Sequence, residues 1–336
     1  MEQYKVLGHI GEGAHGVVQR ALHRPTGRDV ALKKLYVRRP DEQVPIQILR
    51  EIKLLQKVQC KHVIKLLEVL PQGICFVLVF EYMPTGLAEM IKDARAPLTE
   101  AQIKRYLEML LQGVEYLHAQ YIMHRDLKPA NLLVSYKGVL KIADLGQARM
   151  FDEKATEERP YSHQVASRWY RAPELLYGAK VYTEAVDLWA VGCVFGEMIT
   201  KAPIFRGESD IEQLCVVQKL MGTPSTKDWS QLESLPDYNK ITFLPMKAVP
   251  FEQVIPRCSS SALDLAKRFL VYNPDARISA KAALEHKYFF SMPLPCPMPE
   301  MPKPFDGHRE KINSKECDTG DSSGLLCQKF NKIQIN

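Results

Sequence analysis

His124-Arg125-Asp126-Leu127-Lys128-Pro129-Ala130-Asn131, followed by Ala143-Asp144-Leu145-Gly146, decides the reading of this chain. Two carboxylates and an Asn amide oxygen, each just beyond an apolar strand or helix, can hold Mg²⁺ and orient a hydroxyl. Phosphoryl transfer requires both. Taken singly, each Asp is more often a turn former than a ligand, so the sequence on either side has to carry the weight.

Upstream, residues 4–35 hold short β-rich runs, Tyr4 to Ile10, Val17 to His23 and Val30 to Leu35, broken by a glycine cluster and by Pro25-Thr26-Gly27. They predict an antiparallel meander. Gly11-x-Gly13-x-x-Gly16-x-Val18 lies between two strands, whereas a dinucleotide fingerprint would lie between a strand and a helix. Such glycines let a backbone approach phosphates with its N–H groups uncovered, although an ordinary glycine hairpin would read alike. In Val30-Ala31-Leu32-Lys33 a lysine sits near the end of a strand that reads as buried, where an ammonium needs anionic partners, although a lone strand-end lysine more often snorkels to solvent. Glu51 can supply one, on a helix marked by apolar residues at 48, 49, 52 and 55. Phe76 to Phe80 reads as a buried strand, and the β lobe is expected to end near Tyr82.

Downstream, Thr99-x-x-Gln102 is a capping-box signature, and apolar residues from Ile103 to Leu117 follow at helical spacing. Thr183 to Thr200, Ile211 to Met221 and Ser261 to Phe269 continue a helical second lobe. The expected organisation is a β lobe at 1–82, a helical lobe at 83–290 and a Pro-rich, disordered or docking tail at 291–336.

Composition sets the bounds. The 336 residues are 46% apolar and 25% charged, which excludes wholesale disorder. Lys plus Arg exceeds Asp plus Glu by 45 to 39, a surplus that suits anionic ligands without the basic block of a nucleic-acid binder. Eight scattered cysteines with no CxxC pair suggest neither a disulfide framework nor a zinc ribbon, and a reducing compartment follows. The longest apolar run, Ile74 to Phe80, is far short of the roughly 18 residues of a bilayer span. The expectation is an intracellular protein with neither nucleic acid nor membrane as partner.

Taken in order with Ala172-Pro173-Glu174, these motifs match the protein-kinase signature set, and residues 1–290 resemble a eukaryotic protein kinase. The resemblance implies an α+β bilobal fold, with a small antiparallel β lobe bearing one helix and a larger, mainly helical lobe. It implies ATP and Mg²⁺ as cofactors and transfer of the γ-phosphoryl group to protein Ser or Thr. Ile10, Gly11, Glu12, Gly13, Ala14, His15, Gly16, Val17, Val18 and Ala31 would line the nucleotide. Lys33, paired with Glu51, would contact the α- and β-phosphates. Phe80 matches the gatekeeper, with the Glu81 and Met83 backbone reading adenine. Asp126 would accept or steer the substrate hydroxyl proton, Lys128 would sit by the γ-phosphate, and Asn131 and Asp144 would hold the metal. Asp187 would brace the catalytic loop, and Glu174 and Arg277 would form a buried ion pair. Leu145 stands where most members have Phe. The rival reading is a catalytically silent kinase-fold scaffold; Lys33, Glu51, Asp126, Asn131 and Asp144 together count against it.

Pro45-Ile46-Gln47-Ile48-Leu49-Arg50-Glu51 resembles the cyclin-binding helix of cyclin-dependent kinases, and Trp169 to Glu174 with Gly222-Thr223-Pro224 fits that group. Glu12 to Gly16, Val165 to Trp169, Asp210 to Cys215 and Leu235 to Lys240 resemble its cell cycle-related branch. The resemblance implies substrates with Ser/Thr-Pro, a cyclin or cyclin-like activator and an upstream activating kinase. By kinship it points to cell-cycle control, in nucleus and cytoplasm and at the cilium. Ala14 and His15 replace the hydroxyl residues that carry inhibitory phosphates in relatives. Ser162 matches the activating phosphosite, with Arg50, Arg125 and Arg149 as its phosphate-binding arginines; a dianion there would relieve their mutual repulsion and order the loop.

Overall fold

The computed structural model describes residues 1–13, 16–36, 46–72, 75–151 and 161–304, without the side chains of residues 12, 13, 46 and 47. Ala14, His15 and Pro45 lie outside the described residues, as does the chain beyond 304. Two compact units emerge, Met1–Thr85 and Gly86–Lys303.

The first unit is a five-stranded antiparallel sheet with one helix. Its strands are β1 (Tyr4–Gly13), β2 (Gly16–His23), β3 (Arg28–Tyr36), β4 (Leu66–Gln72) and β5 (Cys75–Glu81), in the order β1-β2-β3-β5-β4. β5 is apolar and buried from Cys75 to Phe80, as expected of a central strand covered on both faces. Ala21, Val30, Leu32, Cys75, Val77 and Val79 form one core cluster, and each fully buried Val or Leu contributes about 1.5–3 kcal/mol. β1 and β2 run on through the glycine cluster, further than the sequence suggests, because Gly13 pairs with Gly16. Gly16 has φ +147°, and a Cβ on it would lie 1.8 Å from the Lys34 carbonyl oxygen, so no other residue fits. In α1 (Ile46–Lys57) Glu51, Ile52, Leu54 and Leu55 are buried while Arg50 and Lys53 are exposed, the predicted amphipathic face.

The chain leaves the first unit through β6 (Thr85–Gly86) and enters α2 (Leu87–Lys92). The β lobe thus runs three residues past the expected Tyr82, to Thr85. α3 (Glu100–Ala119) has the predicted capping box complete: Gln102 N–H donates to Thr99 Oγ1 at 3.3 Å, and Thr99 N–H to Gln102 Oε1 at 3.0 Å. After β7 (Ile122–Met123), β8 (Leu132–Val134) and β9 (Leu140–Ile142) form an antiparallel hairpin, and β10 (Arg149–Met150) pairs with β7. Helices α4 (Pro173–Leu176), α5 (Ala185–Thr200), α6 (Asp210–Met221), α7 (Phe251–Val254), α8 (Ser260–Phe269) and α9 (Ala280–Leu284) complete the unit. α5 is buried from Val186 to Met198 and forms its spine. No helix of the described residues is long and apolar enough to cross a membrane.

A tail beginning at Ser291 is corrected. Residues 291–303 belong to the second unit and are strapped along α3. Lys104 has no exposed surface; its ammonium donates to the carbonyls of Ser291 at 2.7 Å and Pro293 at 2.8 Å. Arg105 Nε donates to Cys296 O at 2.7 Å, and Cys296 N–H to Ala101 O at 2.9 Å. Proline lacks an N–H but keeps its carbonyl, so a Pro-rich strand can still be held through acceptors. Composition alone cannot register that a buried cation waits for those acceptors.

Candidate active site

Strand register places the first group of predicted residues. Gly11, Val18, Lys33 and Leu78 are successive cross-strand partners over β1, β2, β3 and β5, and Arg20, Ala31 and Phe80 form the row two residues along. Side chains alternate along a strand, so Val18, Ala31, Lys33 and Phe80 share one face. Among the described residues a Cβ on Gly11 would meet nothing within 4 Å, so no packing among them explains a glycine there. Lys33 Nζ lies 2.7 Å from Glu51 Oε1, with the two side chains only 12% and 4% exposed. A buried ammonium is thereby neutralised, as the sequence required. At the end of β5, Glu81 N–H donates to Lys65 O at 3.3 Å and its carboxylate accepts from Lys65 N–H at 2.9 Å. Met83, two residues on, is buried.

The second group is built on the β8–β9 hairpin. Leu132 pairs with Ile142, and Ala143 N–H donates to Asn131 O at 2.8 Å, so Asn131 and Asp144 emerge at the same end. Asp144 has φ +63°, a left-handed conformation that costs a non-glycine residue about 1–3 kcal/mol and collects at functional sites. Leu145 beneath it is fully buried, filling with a branched side chain the place of the more usual ring. His124 Nδ1 accepts from Asp126 N–H at 3.2 Å, so its other nitrogen carries the proton and donates to Ala143 O at 3.0 Å. One histidine thus ties the loop bearing Asp126 to the turn bearing Asp144.

Asp126 is 4% exposed and accepts from four donors. Ser167 N–H and Oγ each reach Oδ1 at 2.8 Å, Asn131 Nδ2 reaches Oδ2 at 3.0 Å, and Lys128 Nζ lies 2.9 Å from Oδ2. Lys128 also donates to Ser167 Oγ at 2.6 Å. Asn131 Nδ2 bonds the Asp126 carbonyl as well, at 2.9 Å, which turns the amide oxygen, the atom able to bind a cation, away from Asp126. Ser167 is the residue sequence reading missed: a lone serine carries no signal of the fold that brings it from the activation segment to the catalytic loop.

Asp187 braces this loop as expected. Its Oδ2 accepts from His124 N–H at 2.8 Å and its Oδ1 from Arg125 N–H at 2.8 Å; His118 Nε2 lies 2.9 Å from Oδ2. Complete burial would raise this carboxyl's pKa, but the His118 hydrogen bond, the electrostatic pull of the His118 and His124 imidazoles and the Arg125 N–H outweigh it and hold it below its ordinary 3.8. Glu174 and Arg277 form the predicted buried pair, two bonds of 2.6 Å. Ser162 is exposed, Arg125 and Arg149 are in the same unit, and Arg50 is in the other.

Residues 4–289 match the protein kinase domain. The chain belongs to the protein kinase family. The kinase is 56% identical over 308 residues to cyclin-dependent kinase 20 of Danio rerio, an overlap of 91% of this chain and 89% of the relative. Its identity to the human protein of the same name is 53% over 305 residues, 90% and 88% of the two chains. Cyclin-dependent kinase D-1 of Oryza sativa subsp. japonica is 43% identical over 295 residues, 88% of this chain and 68% of the relative. Among solved structures, the yeast RNA Pol II CTD kinase CTDK-1 complex contains a chain that superposes with a TM-score of 0.81 at 34% identity, covering 89% of this chain and 96% of that one. This is a cyclin-dependent-kinase-like serine/threonine protein kinase with the two-unit architecture its motifs imply.

Proposed function

We propose that this kinase transfers the γ-phosphoryl group of ATP to Ser or Thr followed by Pro, in proteins of cell-cycle control. The observation that carries the reading is the Asp126 carboxylate, held by four donors with Lys128 beside it. Asp126 takes the substrate hydroxyl proton and aims the oxygen, while Lys128 supplies positive charge where the transferred group carries negative. Lys33, fixed by Glu51, binds the α- and β-phosphates, and the open face at Gly11 leaves room for them. Asn131 and Asp144 fit a divalent cation: an amide oxygen and a carboxylate at one end of a hairpin are the hard oxygen donors Mg²⁺ takes. When bound, the ion neutralises charge on the phosphate oxygens.

Proline preference rests on the activation segment. Ala166 has φ +63°, and Arg171 takes up the carbonyls of Val165, through Nε at 2.9 Å, and Ala166, through Nη2 at 2.9 Å. With both acceptors engaged, a substrate N–H after the phosphoacceptor finds no partner; proline has no N–H to leave unpaired. The proposal further includes a cyclin or cyclin-like activator at α1, activation by phosphorylation of Ser162, and residence in nucleus and cytoplasm and at the cilium. The relatives' names support the cyclin and the exposed position of Ser162 supports its phosphorylation, while the localisation rests only on the kinship read in the sequence.

The test is ATP turnover on an array of Ser/Thr peptides, with Lys33→Met as control. Transfer lost in the variant and enriched at Pro is expected. Turnover unaffected by Lys33→Met would overturn the nucleotide assignment, and a profile flat at the position after the acceptor would overturn proline preference.

A further inference from the structure

We propose that Gln147 and Tyr182 clamp the activation segment onto the catalytic loop with no phosphate on Ser162, so that the unmodified kinase already has an ordered substrate platform. Tyr182 Oη accepts from Arg125 Nη1 at 2.8 Å and donates to the Ser162 carbonyl at 2.6 Å. Gln147 works from the other side. Its carbonyl accepts from Arg125 Nε at 2.8 Å, and its side-chain Oε1 accepts from Ala166 N–H at 3.1 Å. Arg125 is itself fixed, since its N–H donates to Asp187 and its φ is +64°.

All four bonds reach main-chain atoms or the Arg125 guanidinium, and none uses the Ser162 hydroxyl. They bracket residues 162 and 166, and the next residue, Ser167, is the one whose N–H and hydroxyl bond Asp126. Gln147 and Tyr182 are therefore positioning residues that act on the catalytic carboxylate through Ser167. The phenol is 6% exposed and its ring packs against Tyr161 at 5.2 Å. Burial raises its pKa, against the pull of Arg125, which keeps the proton Oη donates. Ala166, like Arg125, holds a positive φ that persists only where its surroundings over-determine it, and the Gln147 amide is one such constraint. Arg125 Nη2 has no bond among the described residues, so a phosphate on Ser162 can add to the clamp without displacing it.

The inference rests on the assignment of Asp126 to the chemistry, and the experiment separates the two. In a Ser162→Ala parent, which cannot be phosphorylated there, Tyr182→Phe removes only the hydroxyl, Gln147→Leu removes the acceptor at similar length, and Gln147→Glu keeps one. Steady-state turnover on a protein substrate gives kcat and the KM for ATP, and NMR gives amide exchange at Ala166. Losing its single side-chain bond should lower kcat about fivefold in Gln147→Leu, and losing both bonds of the hydroxyl should lower it at least about fivefold in Tyr182→Phe, with the KM for ATP unchanged in each. Ala166 exchange should quicken about fivefold in Gln147→Leu. Gln147→Glu should restore both. Phe and Leu variants as active as the parent, or Ala166 exchange unaltered in Gln147→Leu, would overturn the clamp while leaving the kinase reading intact. An inactive Ser162→Ala parent beside an active phosphorylated wild type would also overturn it, since ordering would then need the phosphate. Wild type with no turnover would instead defeat the assignment of Asp126, and Ala166 exchange would still decide the clamp.

Discussion

Asp126→Asn separates chemistry from binding. The carboxylate accepts at both oxygens, Oδ1 from Ser167 N–H and Oγ, Oδ2 from Asn131 Nδ2 and Lys128 Nζ. An amide has one accepting end. Whichever way it turns, its NH₂ confronts donors, and a buried donor left without an acceptor costs about 1–3 kcal/mol. Folding stability should fall by about that amount. Turnover should fall further, because an amide takes no proton: losing a positioned base costs about 10²–10⁴ in rate, equivalent to about 3–5 kcal/mol of barrier. None of the four contacts involves Lys33 or the strands around Gly11, so ATP affinity should stay within about twofold of wild type, below a 0.5 kcal/mol change. Steady-state kinetics on a Ser-Pro substrate gives kcat, and calorimetric titration with ATP and Mg²⁺ gives Kd. Equal losses in kcat and in nucleotide affinity would refute the reasoning, since they would place Asp126 on the nucleotide and not on the acceptor hydroxyl.

Arg277→Met should destabilise by about 3–5 kcal/mol in urea unfolding, because Glu174 would be left as an uncompensated buried charge together with the carbonyls of Val271, Tyr272 and Ala185 that Arg277 now satisfies; a loss under about 1 kcal/mol would refute this. Asp187, with its pKa held below 3.8, binds fewer protons folded than unfolded, so its stabilisation is complete above about pH 4 and disappears as pH falls through the folded value. The stability gap between wild type and Asp187→Asn should accordingly narrow on acidification below pH 4, and a gap that widened there would contradict the assigned sign. Lys104→Met strands the Ser291 and Pro293 carbonyls, at about 1–3 kcal/mol each, and should open residues 291–303 to limited proteolysis. Unchanged cleavage would show the strap to be held by other contacts.

Local signals made much of this legible. The Thr99 capping box, the apolar spacing of α3 and the buried run of β5 each lie within a few residues of one another, and propensity and periodicity act at that range. The motif at Asp126 and Asn131 is likewise a single loop, so its chemistry could be read before its shape. Ser167 could not. Its approach to Asp126 depends on how the activation segment returns across the helical unit, the partners being 41 positions apart in the chain. The strap from Ser291 failed for a related reason: prolines and polar residues suggest a tail until a buried Lys104, 187 residues away, supplies the donor its carbonyls need.

The sequence by itself determined which groups are available: a strand lysine needing an anion, a helix glutamate to meet it, two aspartates and an asparagine spaced for a metal and a hydroxyl. Glycine at 16 is of the same kind, since the chain has no other residue for a φ of +147° against a backbone oxygen. The tertiary structure decided how those groups are held. Strand register put Val18, Lys33, Ala31 and Phe80 on one face, and the β8–β9 pairing brought Asn131 and Asp144 to one end. Long-range hydrogen bonds made Asp187, Ser167, Gln147 and Tyr182 into a frame around the catalytic loop. The physical reason is that a hydrogen bond is chosen by geometry among many chemically equal donors and acceptors, and composition and spacing count those groups without ranking them. Only burial, which makes an unpaired group expensive, forces one pairing over the rest.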